Sequence, residues 1–146
     1  MGRPTAAVTN PTASTEYFNA NYKDFSGLDP ANPAADRSYD AGAIVGLAIA
    51  QAGKAEPAAI KAAIPKVLDP NGTVIHAGKD EFAKALALIK DGKPIRYEGV
   101  IGPVAFDKYG DITGPFRLWR IQNGEITTVG EMTTADVDAI KAKIGK

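Results

Sequence analysis

Residues 41–50 read AGAIVGLAIA, ten consecutive residues that are all apolar or small. A membrane-spanning helix needs about 20 such residues, so this run is too short to cross a bilayer. Nearly every position after Asp40 would need shielding from water, which is typical of a buried helix rather than a surface one. The run therefore predicts a helix enclosed on most sides, and Gly53 stands where a left-handed residue would end it.

The segment before this run has the periodicity of an amphipathic helix. Its aromatic residues recur at the spacing of one helical face: Phe18, Tyr22 and Phe25. A hydroxyl side chain, Ser14 or Thr15, is predicted to cap its start, and Gly27 is predicted to end it. A proline-bearing linker follows, and the central helix is predicted to open at Asp36 or Ser38.

Three further helices are predicted after the central one. Pro57 suits the first turn of the next helix, and Pro65 is expected to end or kink it because proline gives no backbone donor. The following helix closes at Gly92, and its predicted inward face is Phe82, Leu86 and Ile89. The chain ends in a helix capped by Thr133 or Thr134, whose predicted inward residues are Val137, Ile140 and Ile144.

The main strand signals lie in the second half of the chain. RYEGVIGPVAF (residues 96–106) is β-branched and punctuated by glycine, and FRLWRI (residues 116–121) alternates between two sides. Asn123 and Gly124 give a two-residue hairpin signal before the strand-like EITTVGEM. A sheet of two or three strands cannot cover so many apolar helix faces. The mismatch predicts that part of the sheet belongs to another piece of chain.

Composition argues against several classes of function. Lys+Arg and Asp+Glu both number 17 and form no dense block of one sign, which argues against a nucleic-acid or anionic-membrane surface. The 146 residues include no cysteine, which removes disulfides, thiolate zinc sites and cysteine nucleophiles. Nucleophile motifs such as G-x-S-x-G are also missing. The chain is therefore predicted not to be an enzyme, and no catalytic residue, metal site or cofactor is predicted.

A few residues carry chemistry that needs weighing. Asp107 and Asp111 flank a Lys-Tyr-Gly stretch, whose spacing fits a turn better than a cation loop or an acid/base pair. His76, the only histidine, has no evident partners for a triad or metal site, so a surface or capping role is predicted. Trp119 and its neighbouring arginines favour packing over stacking on a ligand.

Four segments stand in a distinctive order. They are YFNANY before a proline-bearing linker, RSYDAGAIVGLAIAQAG, DEFAKALALIKDGK and YEGVIGPVAFDKYGDITGPFRLWRIQNGEI. This order resembles the C-terminal part of the type I periplasmic binding proteins of the branched-chain amino acid class. The most specific pieces are the YDA triplet at residues 39–41 and the G-x-x-G-x-x-x-F-D-x-x-G-D run at residues 99–111. The resemblance covers almost the whole chain, from about Thr5 to Met132.

The resemblance implies an α/β fold and a solute receptor of two lobes that close on a small ligand and dock on an ABC permease. This chain would be the C-terminal portion, with incomplete sheets, a late β-hairpin and a C-terminal helix. Residues 1–36 would be a second-lobe helix and linker, and residues 37–111 first-lobe helices and a strand. Residues 112–146 would be the hinge-crossing strand, hairpin and C-terminal helix of the second lobe.

The resemblance also implies a site and partners. Tyr39 is the first candidate for ligand binding, because it starts a helix whose N-terminus would face the cleft, and Asp40 is the second. The alternative for Tyr39 is a buried ring whose hydroxyl is satisfied locally. The implied partners are an amino acid or a related small amide or carboxylate, an ABC permease, and a missing N-terminal half or a second copy of the chain. Neither nucleic acid nor membrane insertion is implied.

The implied location is the periplasm. The first 14 residues hold one arginine and no apolar core of signal-peptide length, so no export signal is predicted in this chain. Either the chain is cytoplasmic or its natural start lies elsewhere. Two other functions stay open: a ligand-sensing regulatory module on the same fold, and an autonomous small α/β protein of unknown activity.

Overall fold

The fold was analysed in a computed structural model that describes residues 5–6, 11–30, 32, 34–112, 114 and 116–144. The chain divides into two compact units: a central unit, Asn10–Val104, and a terminal unit, Met1–Thr9 with Ala105–Lys146. The predicted boundaries at residues 36 and 111 differ from these, and the assignment of segments to lobes stays a prediction. No helix in the described ranges is both long and apolar enough to span a membrane.

Helices and short strands are distributed over both units. In chain order they are β1 (Thr5–Ala6), α1 (Ala13–Ser26), α2 (Ala35–Ala52), α3 (Pro57–Val67), β2 (Thr73–Ile75), α4 (Lys79–Lys90), β3 (Ile95–Gly99), β4 (Gly102–Pro103), β5 (Phe116–Gln122), β6 (Glu125–Met132) and α5 (Thr134–Lys143).

The central unit is built on a small sheet with the strand order β2-β3-β4. β2 and β3 are parallel, with Thr73 opposite Ile95 and Ile75 opposite Tyr97, while β4 runs antiparallel to β3. Ile75, Ile95 and Tyr97 have no exposed surface, because α2, α3 and α4 pack their apolar residues on these strands. This arrangement of helices around a parallel pair is typical of α/β domains.

The helix ends agree with the glycine signals better than with the predicted caps, and α3 continues past Pro65 to Val67. Gly27 and Gly53 both end their helices in the left-handed conformation, and Pro57 lies in the first turn of α3, as predicted. The cap of α1 is Thr12, so the prediction of Ser14 or Thr15 as the cap was wrong, and Thr15 completes the capping box by accepting the Thr12 N–H. The predicted opening of α2 at Asp36 or Ser38 was also wrong. That helix follows Ala34, which has a φ of 68° and makes no side-chain cap.

Some predicted inward faces were wrong because parts of them remain exposed. In α2 one face is buried, through Ile44, Leu47 and Ala48, but Val45 on another face is 44% exposed. The helix is therefore not enclosed on most sides. In α4 the fully buried residue is Ala85 and Leu86 is 51% exposed, and Phe25 in α1 is 91% exposed.

The terminal unit contains an antiparallel sheet with the order β1-β5-β6. β5 and β6 form the predicted hairpin, and its turn uses positive φ angles of 54° at Asn123 and 83° at Gly124. Thr133 caps α5 in a capping box with Asp136, as one of the two predicted caps. Ile140 and Ile144 are exposed, so the predicted inward face of α5 was wrong for both residues.

The Asp107–Asp111 segment is a turn, which confirms the prediction. Asp107 N–H donates to the Asp111 carbonyl at 2.9 Å, and the Asp107 carboxylate accepts the backbone N–H groups of Tyr109 and Asp111. The Lys141 ammonium donates to the same carboxylate at 2.8 Å. The bond from Lys141, helped by the backbone donors, lowers the pKa of Asp107 to about 2.

Acid should release this turn at an unusually low pH. Because the folded pKa of Asp107 lies below its unfolded value, its stabilising contribution is present above that unfolded value and is lost as pH falls toward about 2. Carboxyl-carbon NMR should therefore give a midpoint near 2 for Asp107. In Lys141→Met the midpoint should move toward the ordinary value of about 4, and in Lys143→Met it should not. An unchanged midpoint in Lys141→Met would remove the ammonium as its cause.

Candidate functional site

The first turn of α1 binds the carboxyl end of β3 through three hydroxyl groups. Each hydroxyl donates to one of three consecutive carbonyls: Thr12 to Gly99 at 2.9 Å, Ser14 to Glu98, and Thr15 to Val100 at 2.7 Å. The Ser14 hydroxyl, which is fully buried, also accepts the Ala77 backbone N–H at 2.8 Å. Since Ala77 follows β2, these bonds fix the carboxyl ends of both parallel strands against α1.

Asp40 holds the same segment from the side of α2. Its carboxylate accepts the Tyr97 hydroxyl at 2.9 Å and the backbone N–H groups of Val100 and Ile101 at 2.8 and 3.0 Å. Asp40 is 2% exposed. Burial raises its pKa, and the three donors act in the opposite direction. Burial, followed by the Asp40 charge, also raises the pKa of Tyr97, so the phenol remains a donor to the carboxylate.

Gly99 makes this close approach sterically possible. A Cβ atom added at Gly99 would lie 2.4–2.6 Å from the carboxylate atoms of Asp40, nearer than real Cβ contacts. Only a residue without a side chain leaves room for the buried carboxylate beside β3.

Tyr39 lies next to the start of α4, just after the carboxyl end of β2. Its half-buried ring is edge-on to Phe18, with centroids 5.4 Å apart. Burial, followed by the charges of Tyr17 and Asp40, raises the pKa of the Tyr39 hydroxyl, while a hydrogen bond with the Gly78 backbone acts in the opposite direction. The Tyr17 ring lies against Gly78, since a Cβ added there would be 3.1 Å from it.

His76 and Glu81 lie at the same edge of the sheet. The His76 backbone N–H donates to the Glu81 carboxylate at 3.1 Å, and the histidine, for which a surface or capping role was predicted, is half-buried. Its Nδ1 atom is buried and makes no hydrogen bond within the described part of the chain. In parallel α/β sheets, ligands bind outside the carboxyl ends of the strands. The carboxyl ends of the parallel strands, with Tyr17, Tyr39, His76 and Gly78, are therefore the candidate site. We call this end of the sheet the candidate edge.

The two predicted site residues lie in different environments. Tyr39 is at the candidate edge, whereas Asp40 is engaged inside the unit with three internal donors. Ligand binding by either residue stays a prediction. Sequence reasoning missed Tyr17 and Gly78 at this edge. Their only signal was their position, one in an aromatic-rich helix and one directly after the strand-like TVI.

An apolar groove lies along α2 and α4 and has a volume of about 530 Å³. Tyr39 lines one end of it. The other lining residues are small or apolar apart from one serine: Ser38, Gly42, Ala43, Gly46, Leu47, Phe82 and Leu86. Among the described residues, no group of three or more His, Asp or Glu side chains converges as metal ligands would.

Comparison with known proteins bears on the fold. No family model and no curated protein matches the chain. A solved structure does match, that of the leucine-binding protein LivK from Thermotoga maritima, with a TM-score of 0.51 and 21% sequence identity over 89% of this chain. The chain shares the fold of part of this leucine-binding protein. It spans 29% of that protein's length. The predicted resemblance to type I periplasmic binding proteins is therefore confirmed at the level of the fold.

Proposed function

We propose that the chain is the C-terminal portion of a solute-binding protein for amino acids or related small amides and carboxylates. The observation that carries this proposal is the fold shared with part of a leucine-binding protein. That neighbour is a binding protein, which agrees with the prediction that the chain is not an enzyme. The ligand would be held between two lobes that close by a hinge, and the closed form would dock on an ABC permease in the periplasm.

The candidate edge gives this proposal its residues. Tyrosine is protonated at neutral pH, and the raised pKa of Tyr39 acts in the same direction, so its hydroxyl can donate to a ligand carboxylate. In this proposal Tyr39 contacts the ligand, and Asp40 is a positioning residue that fixes the strand ends.

The chain would supply parts of both lobes. The first lobe would include α2, α3 and α4, and the second lobe the hairpin of β5 and β6 with α5. Most pocket residues would come from sequence that has no counterpart here, since the chain spans 29% of the neighbour's length. A segment supplying that part of the fold would complete the pocket.

Titration with L-leucine tests the proposal. Because most of the pocket would be supplied elsewhere, we expect binding weaker than about 1 mM, which calorimetry at lower concentrations would not detect. In ¹⁵N-NMR spectra, leucine should shift the amides of residues 38–39 and 76–78. Tyr39→Phe should abolish these shifts, and Tyr22→Phe, a matched change in the aromatic cluster with Phe18, should retain them. Tight leucine binding that Tyr39→Phe leaves unchanged, or amide shifts confined to the terminal unit, would contradict the proposal.

A further inference from the structure

Within the described part of the chain, the outer edge of β2 carries backbone groups that no strand covers. β2 is the first strand in the order β2-β3-β4, so only one of its sides pairs with a strand within the described sheet. Thr73 N–H bonds to the carbonyl of Pro94, just before β3, at 3.0 Å, which places the backbone groups of Thr73 on the paired side. Because these groups alternate along a strand, those of Val74 and His76 face the outer side.

Two side chains of α4 form hydrogen bonds with these outer backbone groups. The Lys84 ammonium donates to the Val74 carbonyl at 3.3 Å, and the His76 N–H donates to the Glu81 carboxylate at 3.1 Å. The two side chains also form an ion pair at 3.4 Å. We call Glu81 and Lys84 the edge clasp. Edge strands are commonly protected by charged side chains, and here the protection is a direct bond to the backbone.

The edge clasp is easily displaced. The Lys84 bonds lie at the long end of the hydrogen-bond range, and the side chains of Glu81 and Lys84 are 32% and 47% exposed. Exposed ion pairs of this kind contribute little in water. Partial burial raises the pKa of Glu81, but the His76 N–H and the Lys84 ammonium outweigh it and lower the pKa, which favours the charged carboxylate. The clasp side chains therefore compete only weakly with an incoming strand for the outer backbone groups of β2.

The two outer groups are complementary to each other across a two-fold axis. If a second copy approaches antiparallel with the axis at Ile75, Val74 lies opposite His76 of that copy. Each His76 N–H then donates to the Val74 carbonyl of the other copy, and each clasp is displaced from both of its bonds. The three strand residues, Thr73, Val74 and Ile75, carry no charge, and the chain's net charge is zero, so copies do not repel each other strongly.

We propose that the outer edge of β2 is a strand-pairing site for a second copy of this chain, and that the edge clasp holds it closed. This inference does not depend on the proposed function. It requires only an open strand edge, the two clasp side chains and the self-complementary donor and acceptor. The clasp would keep the chain monomeric at low concentration and yield to a dimer when the concentration rises.

Removing the clasp should strengthen the dimer. In sedimentation equilibrium, Glu81→Ala/Lys84→Ala should lower the dimer dissociation constant by roughly tenfold, because the outer groups no longer have an internal competitor. Lys54→Ala/Glu56→Ala is the matched control, since it removes another exposed Lys–Glu pair, 2.9 Å apart, away from the sheet edge. That control should leave the constant unchanged.

Spin labels give a second readout on the otherwise unaltered chain. The sequence has no cysteine, so Thr73→Cys provides a unique labelling position. Antiparallel pairing about Ile75 places the two Thr73 Cα atoms about 14 Å apart, given about 3.3 Å per strand residue and about 5 Å between strands. At high concentration, electron paramagnetic resonance should show label separations consistent with this spacing.

Several outcomes would overturn the proposal. One is an equal dissociation constant for the clasp variant and its control. A second is a chain that stays monomeric at millimolar concentration with or without the clasp. The third is a dimer that Leu86→Asp abolishes and whose Thr73 labels lie far apart, which would assign association to the groove along α2 and α4.

Discussion

Asp40→Ala is expected to lower the free energy of unfolding of the central unit by about 3–5 kcal/mol. The change deletes three hydrogen bonds to a buried carboxylate and leaves the N–H groups of Val100 and Ile101 and the hydroxyl of Tyr97 without their acceptor. Hydrogen bonds to charged groups contribute about 1.5–3 kcal/mol each, and buried donors left unpaired cost about 1–3 kcal/mol. The total is kept below the simple sum because water will enter the vacated space. Urea unfolding followed by circular dichroism measures it.

Two variants separate the role of the carboxylate from that of any acidic residue. Asp24→Ala removes an exposed aspartate of α1 and should change the free energy of unfolding by less than about 0.5 kcal/mol. Asp40→Asn keeps one carbonyl oxygen as acceptor and should lose less than Asp40→Ala. If Asp40→Ala were no more damaging than Asp24→Ala, the bonds at the end of β3 would not stabilise the unit.

The sequence identified Asp40 as a candidate site residue but did not show the structural role of its carboxylate. An aspartate beside Tyr39, at the start of an apolar helix, suggested a residue facing a ligand. The structure instead uses its carboxylate to hold the backbone 60 residues further along, at Val100. No local pattern shows such a pairing, because the donors are backbone N–H groups that every residue but proline carries. Only the fold brings the two segments together.

The cap of α1 shows the same limit. Ser14 and Thr15 both have the chemistry of a helix cap, so the sequence could not separate them from Thr12. In the structure the Ser14 and Thr15 hydroxyls donate to carbonyls of the β3 segment, and Thr12 both caps the helix and donates to Gly99. All three hydroxyls make long-range bonds, and Thr15 also accepts the Thr12 N–H in the capping box, so hydroxyl chemistry alone does not locate the cap. The glycine stops were predictable because a left-handed residue is a local requirement.

Helical periodicity located the apolar faces of the helices but did not show which elements pack against them. The helices of the predicted pattern all exist, yet Val45 in α2, Leu86 in α4 and Ile140 in α5 are exposed. Burial depends on which other element packs against a face, and periodicity carries no information about that element. The predicted shortage of sheet concerns the length of the strands as well as their number. β2 has three residues and β4 has two, too few to cover the helices around them.

Gly99→Ala is expected to destabilise the central unit by about 2–3 kcal/mol through one identifiable contact. The added methyl group would lie 2.4 Å from an oxygen of Asp40, which cannot move aside without breaking its bonds to Val100 and Ile101. The backbone at Gly99 is not in the left-handed region, so the cost would come from the contact and not from φ. Gly46→Ala is the matched control, because a Cβ there meets nothing within 4 Å.

A double-mutant cycle distinguishes this contact from a general intolerance of side chains at the end of β3. In the Asp40→Ala background the carboxylate is gone, so Gly99→Ala should cost less than about 1 kcal/mol, giving a coupling of about 2 kcal/mol. Measurements in trimethylamine oxide would keep the double variant folded enough to measure. Gly46→Ala should stabilise the unit by up to about 1 kcal/mol, since alanine favours a helix over glycine. If Gly99→Ala cost the same in both backgrounds, the Asp40 carboxylate would not be what requires glycine at this position.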